Sequence, residues 1–117
     1  MKVPLLDLKP QYAQIKEKVI PEIMEVIENQ AFILGPKVEK MEEQLAKYVD
    51  SRFAVGVSSG TDAILLALMA LEIGPGDEVI TTPYTFFATA GCVARVGAKA
   101  VFVDIDPDTY NVDPSRI

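Results

Sequence analysis

The sequence has no histidine, and with it goes the commonest metal ligand and the side chain that most readily moves a proton near neutral pH. Zinc chemistry and a Ser-His-Asp triad are thereby disfavoured within these 117 residues, and no metal site is expected. Cysteine is almost as scarce. Cys92 stands alone, which excludes an internal disulfide framework and leaves a small core residue rather than a nucleophile. Positive charge is also short: eleven Lys and Arg face seventeen Asp and Glu, for a formal charge of −6. The basic residues are not clustered, so a phosphate backbone is repelled and nucleic acid is not an expected partner. Long apolar runs are missing too. The longest, Ala63 to Leu71, is far too short to cross a bilayer, and no basic stretch with an apolar core opens the chain. A cytoplasmic protein without a membrane partner is expected.

What is present is the material of a packed domain: 50% hydrophobic residues and 24% charged ones. Residues Val3 to Leu8 read as extended and Pro-punctuated. Tyr12, Ile15, Val19, Ile23, Met24 and Ile27 then recur at three- and four-residue spacings, predicting an amphipathic helix from about Lys9 to Asn29. Pro21 lies inside it, where a missing N–H predicts a kink or a break. Phe32-Ile33-Leu34-Gly35-Pro36 is an apolar connector whose Pro36 suits the first position of a second helix, Pro36 to Val49. Val38, Met41, Leu45 and Tyr48 share one face of that helix, and its charges read as a solvated face.

Ala54 to Ser58 reads as a short buried strand, broken by Ser58-Ser59-Gly60-Thr61-Asp62 where an apolar helix, Asp62 to about Glu72, begins. A helix apolar all round has to be covered on all sides. Gly74-Pro75-Gly76-Asp77 is a turn, Glu78 to Thr82 a strand, Thr85 to Val96 a core helix, and Ala100 to Asp104 a further strand. Strands spaced by helices imply a mostly parallel α/β sheet with ligands at the strands' carboxyl ends. Three loops meet that edge: Ser58 to Asp62, Thr82 to Phe86, and Asp104 to Asp106. From Asp106 onward the Pro and Asp content reads as a surface turn. The domain reading is a helical segment over 1–50 and a βαβαβ segment over 51–117.

The first loop is open to two readings. First-turn N–H groups of a helix lack internal acceptors, so a turn of Gly and hydroxyl residues can seat a phosphate. Ser, Gly and Thr are equally ordinary helix caps. The second loop carries Tyr84, Phe86 and Phe87, which beside an anion seat suit a flat phosphorylated heterocycle. By spacing alone, core packing is the better account of these aromatics. A dinucleotide-binding turn is disfavoured, since G-x-G-x-x-G is absent.

Taken together, these blocks resemble the DegT/StrS-type aminotransferases, fold type I enzymes that use pyridoxal phosphate (PLP) and act on nucleotide-linked keto sugars. The blocks are Pro4-Leu5-Leu6-Asp7-Leu8, Gln11-Tyr12, Phe32 to Pro36, Ala54 to Ala63, Gly74 to Ile80, Thr85-Phe86-Phe87-Ala88-Thr89 and Phe102 to Asp106. The resemblance implies the N-terminal part of a PLP-binding large domain, three-layered α/β/α with a mostly parallel sheet, and incomplete here because its first strand pairs with a late one. It implies that Gly60, Thr61 and Asp62 supply amide and hydroxyl contacts to the cofactor phosphate, and that Phe86 stacks on the pyridine ring. Gly35 is placed near the substrate entrance. No catalytic residue is implied in this chain, because the family's Schiff-base lysine lies beyond residue 117. Lys99 is rejected as a substitute, since it precedes a strand and sits at the opposite edge. An amino-acid amino donor, a role in amino-sugar or polysaccharide biosynthesis, and a homodimeric complete protein are implied as well. Two alternatives stay open: a PLP-dependent sugar deoxygenase of the same family, and a short non-catalytic chain that keeps the fold for binding.

Overall fold

In the computed structural model, which describes residues 3–117, the helical periodicity of the first third becomes α1, Lys9–Glu28, with a proline in its first turn. Of the kink or break expected at Pro21 the break does not occur, and α1 runs through it. A proline removes one i→i−4 bond, and a helix already propagated on both sides tolerates that loss. The second helix, α2, spans Pro36–Tyr48 with Gly35 as its N-cap and Pro36 at its start. Gly35 is required sterically, because a Cβ there would lie 2.7 Å from the Ala31 carbonyl oxygen. Lys37 Nζ donates to Glu22 and Glu25 of α1 at 2.5 and 2.7 Å. Beside these ion pairs an open groove of about 930 Å³ runs between the helices, floored by Val19, Ile23, Val26, Met41 and Leu45. Neither helix has a fully buried residue.

The strand expected at 54–58 is not formed. The Gly56 N–H instead donates to Glu42 Oε1 at 2.6 Å, and a Cβ on Gly56 would meet Val38 and Met41 of α2 within about 3.2 Å. A ladder needs a neighbouring strand, and no described residue offers one to this segment. Accordingly the chain divides into two compact units after Gly56, a little beyond the expected change at residue 50.

The second unit holds α3 (Gly60–Ala70), β1 (Glu78–Thr81), α4 (Ala88–Arg95), β2 (Lys99–Phe102) and a short 3-10 turn, Pro114–Arg116. β1 and β2 pair in parallel, from Glu78 opposite Lys99 to Thr81 opposite Phe102, with α4 as the crossover. Of the expected βαβαβ succession, the last βαβ is formed. α4 begins later than the expected Thr85, because Thr85 donates its N–H to Pro83 in a turn and no side chain caps the helix at Phe87. The core lies on α4, where Ala88, Cys92 and Val93 are the buried side chains among the described residues. α3 packs on α4, yet none of its residues is fully buried, so its all-round apolarity is only partly covered. An antiparallel bridge between Ile105 and Val112 closes the loop that the sequence reads as a surface turn.

All four helices end the same way. The N–H groups of Gln30, Asp50, Glu72 and Gly97 bond back three residues, those of Ala31, Ser51, Ile73 and Ala98 bond back five, and the first four adopt left-handed φ. Only the last uses glycine, so three helices stop at some conformational cost.

Candidate functional site

The turn before α3 is a cap first. Ser59 is the N-cap, and its Oγ accepts from the Asp62 N–H at 3.1 Å. The Ser58 and Ser59 hydroxyls both donate to Asp62 Oδ2, the second at 2.9 Å. These bonds, Ser58's above Ser59's, hold the Asp62 carboxyl below the usual carboxylate range; desolvation opposes them and Arg95 adds a smaller pull. Capping therefore consumes Ser58, Ser59 and the amide of Asp62. It leaves the N–H groups of Gly60 and Thr61 and the Thr61 hydroxyl without an acceptor among the described residues. The two readings of this turn thus separate onto different residues: Ser59 and Asp62 close the helix, and Gly60 and Thr61 present the unspent donors.

Thr61 is fixed from behind, since its carbonyl accepts from the Cys92 thiol at 3.3 Å. Cys92 is 0% exposed, as expected of a small core residue. Thr61 also lines a cleft of about 450 Å³ together with Phe86, Phe87, Gly91, Cys92 and Arg95. Phe86 and Phe87 are 78% and 82% exposed, which overturns the expectation that these aromatics are core. They sit in the loop before α4 rather than inside the helix, where periodicity places side chains inward.

The structure brings Thr61 and Phe86 to one cleft, while Gly60 and Asp62 are not among the residues that line it. Gly35, expected near a substrate entrance, belongs to the first unit, where it N-caps α2. The Asp104 loop borders a different cavity, with Phe102, Val103, Ser115 and Arg116. Lys99 opens β2 and pairs with Glu78 at 2.6 Å, which holds its ammonium above the usual lysine range. Lys99 is also absent from the residues that line the cleft. Arg95 is the member of the cleft that sequence reasoning missed. The signal was present, because Ala88, Gly91, Cys92 and Arg95 fall at the spacing of one helical stripe.

The model of the DegT/DnrJ/EryC1/StrS aminotransferase family matches residues 13–117. The chain belongs to that family. It is 52% identical, over its whole length, to a pleiotropic regulatory protein of Geobacillus stearothermophilus, of which it covers 32%. It is 48% identical, over 98% of its length, to the UDP-2-acetamido-2-deoxy-3-oxo-D-glucuronate aminotransferase of Pseudomonas aeruginosa, again covering 32% of that protein. Among solved structures it is similar to NtdA from Bacillus subtilis with bound cofactor PMP. The TM-score is 0.91 at 38% identity, over 99% of this chain and 27% of that one. The chain thus spans about a third of the length of the curated relatives it matches. Its α/β fold with a small parallel sheet is that of a portion of these longer proteins.

Proposed function

We propose that this chain is the phosphate-holding part of a PLP-dependent aminotransferase whose complete form transfers an amino group from an amino acid to a nucleotide-linked keto sugar. The family match and the aminotransferase named among the relatives support the reaction class. One observation of the structure carries the reading: Thr61, which holds unspent donors at the start of α3, and an exposed aromatic, Phe86, line the same cleft.

The donor set fits the cofactor. The N–H groups of Gly60 and Thr61, at the positive end of α3, and the Thr61 hydroxyl are donors of the kind that a phosphate dianion takes. Asp62 holds the Ser58 and Ser59 hydroxyls, so the turn keeps its shape without lending its own amide to the ligand. Phe86 offers a ring face, Phe87 and Cys92 add apolar wall, and Arg95 contributes positive charge to the cleft. PLP bound there supplies the electron sink for amino transfer. The lysine that attaches it is assigned outside these residues, since no lysine lines the cleft. A cytoplasmic homodimer is proposed for the complete enzyme, in amino-sugar or polysaccharide biosynthesis.

The test is a cofactor titration followed by absorbance and by mass after borohydride reduction. In the complete enzyme, Thr61→Ala removes one charge-assisted hydrogen bond and weakens PLP binding roughly ten- to hundredfold. Phe86→Ala weakens it as well, whereas Tyr48→Ala, 87% exposed on α2, leaves it unchanged. The 117-residue chain alone forms no stoichiometric lysine adduct. Unchanged affinity in both cleft variants removes the case for a cofactor site at this turn.

A further inference from the structure

We infer that Tyr110 is a positioning residue for the Phe86 loop, acting through Tyr84; the inference rests on the cofactor reading above. Among the described residues, the loop from Thr82 to Phe87 is held only by short-range hydrogen bonds. The Tyr84 N–H donates to Thr82 Oγ1 and the Thr85 N–H to the Pro83 carbonyl, both at 3.0 Å, and the Thr85 and Thr89 hydroxyls share a bond at 3.1 Å. None of these ties the loop to anything beyond the first turn of α4, although the loop carries the ring that faces the cleft.

The neighbouring loop, 105–112, is built in the opposite way. The Ile105–Val112 bridge closes its base. Asp106 Oδ1 accepts from the N–H groups of Asp108 and Thr109 at 2.9 and 2.8 Å and from the Thr109 hydroxyl at 3.1 Å. The Tyr110 N–H donates to the Asp106 carbonyl at 2.9 Å, and Tyr110 is held at φ +59°. That left-handed backbone suits Gly or Asn and disfavours a bulky ring. A tyrosine there is unexpected on local grounds, and its contact supplies the reason. The ring lies 5.8 Å from that of Tyr84, centroid to centroid, at 31°. Tyr84 is two residues before Phe86. An over-determined turn therefore lends order to an under-determined one through a single aromatic pair, and the orientation of the stacking ring follows from it.

The test uses the complete enzyme and three variants beside wild type: Tyr110→Phe, Tyr110→Asn and Tyr84→Leu, with Thr61→Ala as the reference for the cofactor site. Amide hydrogen exchange is read without cofactor, PLP affinity by titration, and stability by thermal melting. Asn is at home at positive φ, so Tyr110→Asn keeps the melting temperature while its Tyr84, Thr85 and Phe86 amides exchange faster. Its PLP affinity falls about two- to tenfold, the range of one aromatic pair. Tyr110→Phe behaves as wild type in both readouts. Tyr84→Leu reproduces the loss, and combining it with Tyr110→Asn adds nothing further. Wild-type affinity and exchange in Tyr110→Asn and Tyr84→Leu, with Thr61→Ala weakened, overturn this inference and leave the cofactor reading standing. Wild-type affinity in Thr61→Ala as well sinks both. A loss shared by Tyr110→Phe, or one that follows a fall in melting temperature, shows a merely structural role and overturns the inference too.

Discussion

The first unit has the longer helices and no fully buried side chain; the second has shorter helices and all of the buried ones among the described residues. α1 and α2 meet along one side, tied by Lys37 to Glu22 and Glu25, and their apolar faces remain open along the groove. α4, by contrast, packs against α3, β1 and β2, and that third direction is what excludes water from Cys92 and Val93. Helix formation is a matter of neighbours in sequence. Burial is a matter of how many elements close on the same face, and two helices close only one side of each other.

The largest expected effect concerns the chain by itself. Expressed alone, it should be dimeric, aggregated or partly molten, with dye binding and with hydrogen-exchange protection confined to α4, β1 and β2. A compact monomer with a sharp cooperative melt and no dye binding breaks the comparison. Next in size is a pair of truncations in the complete protein. Val93→Ala should cost roughly 1–3 kcal/mol in denaturant unfolding, because it empties a fully buried position. Ile23→Ala in α1 tests the open side: a loss as large as Val93's would mean that other parts of the complete protein cover the groove. The smallest effect is electrostatic. Lys37 holds the Glu22 carboxyl below the usual range, and the two glutamates hold the Lys37 ammonium above its own. The carboxylate side of this link is fully present above the ordinary glutamate value and is lost as pH falls through the lowered one. The ammonium side is lost as pH rises through its raised value. A Lys37→Met, Glu22→Gln double-mutant cycle should therefore show coupling at neutral pH that vanishes at both extremes and shrinks with salt. Coupling that persists in acid would place the interaction in packing rather than charge.

The order of elements was legible in the sequence because each signal was local. Periodicity drew α1 and α2, breakers at Gly35, Gly74 and Gly97 drew their neighbours, and the alternation of strand and helix drew the parallel pair. The candidate site was half legible. Ser-Ser-Gly-Thr marked a helix start, but a list of letters cannot say which donors are already spent. That division, Ser59 to the cap and Gly60 and Thr61 to open space, depends on where the Asp62 side chain turns.

Residue order settles which segments prefer to be helical or to turn, since those preferences come from residues three or four apart. Tertiary structure alone decided the rest. It left 54–58 without a ladder among the described residues, because a strand is defined by a partner and none of them supplies one. It left Phe86 exposed in a loop, and it set Thr61, Phe86 and Arg95 around one cleft. It also put Tyr110 against Tyr84. Each of these depends on groups far apart in the chain arriving at one place, and no local preference encodes where a distant group will be.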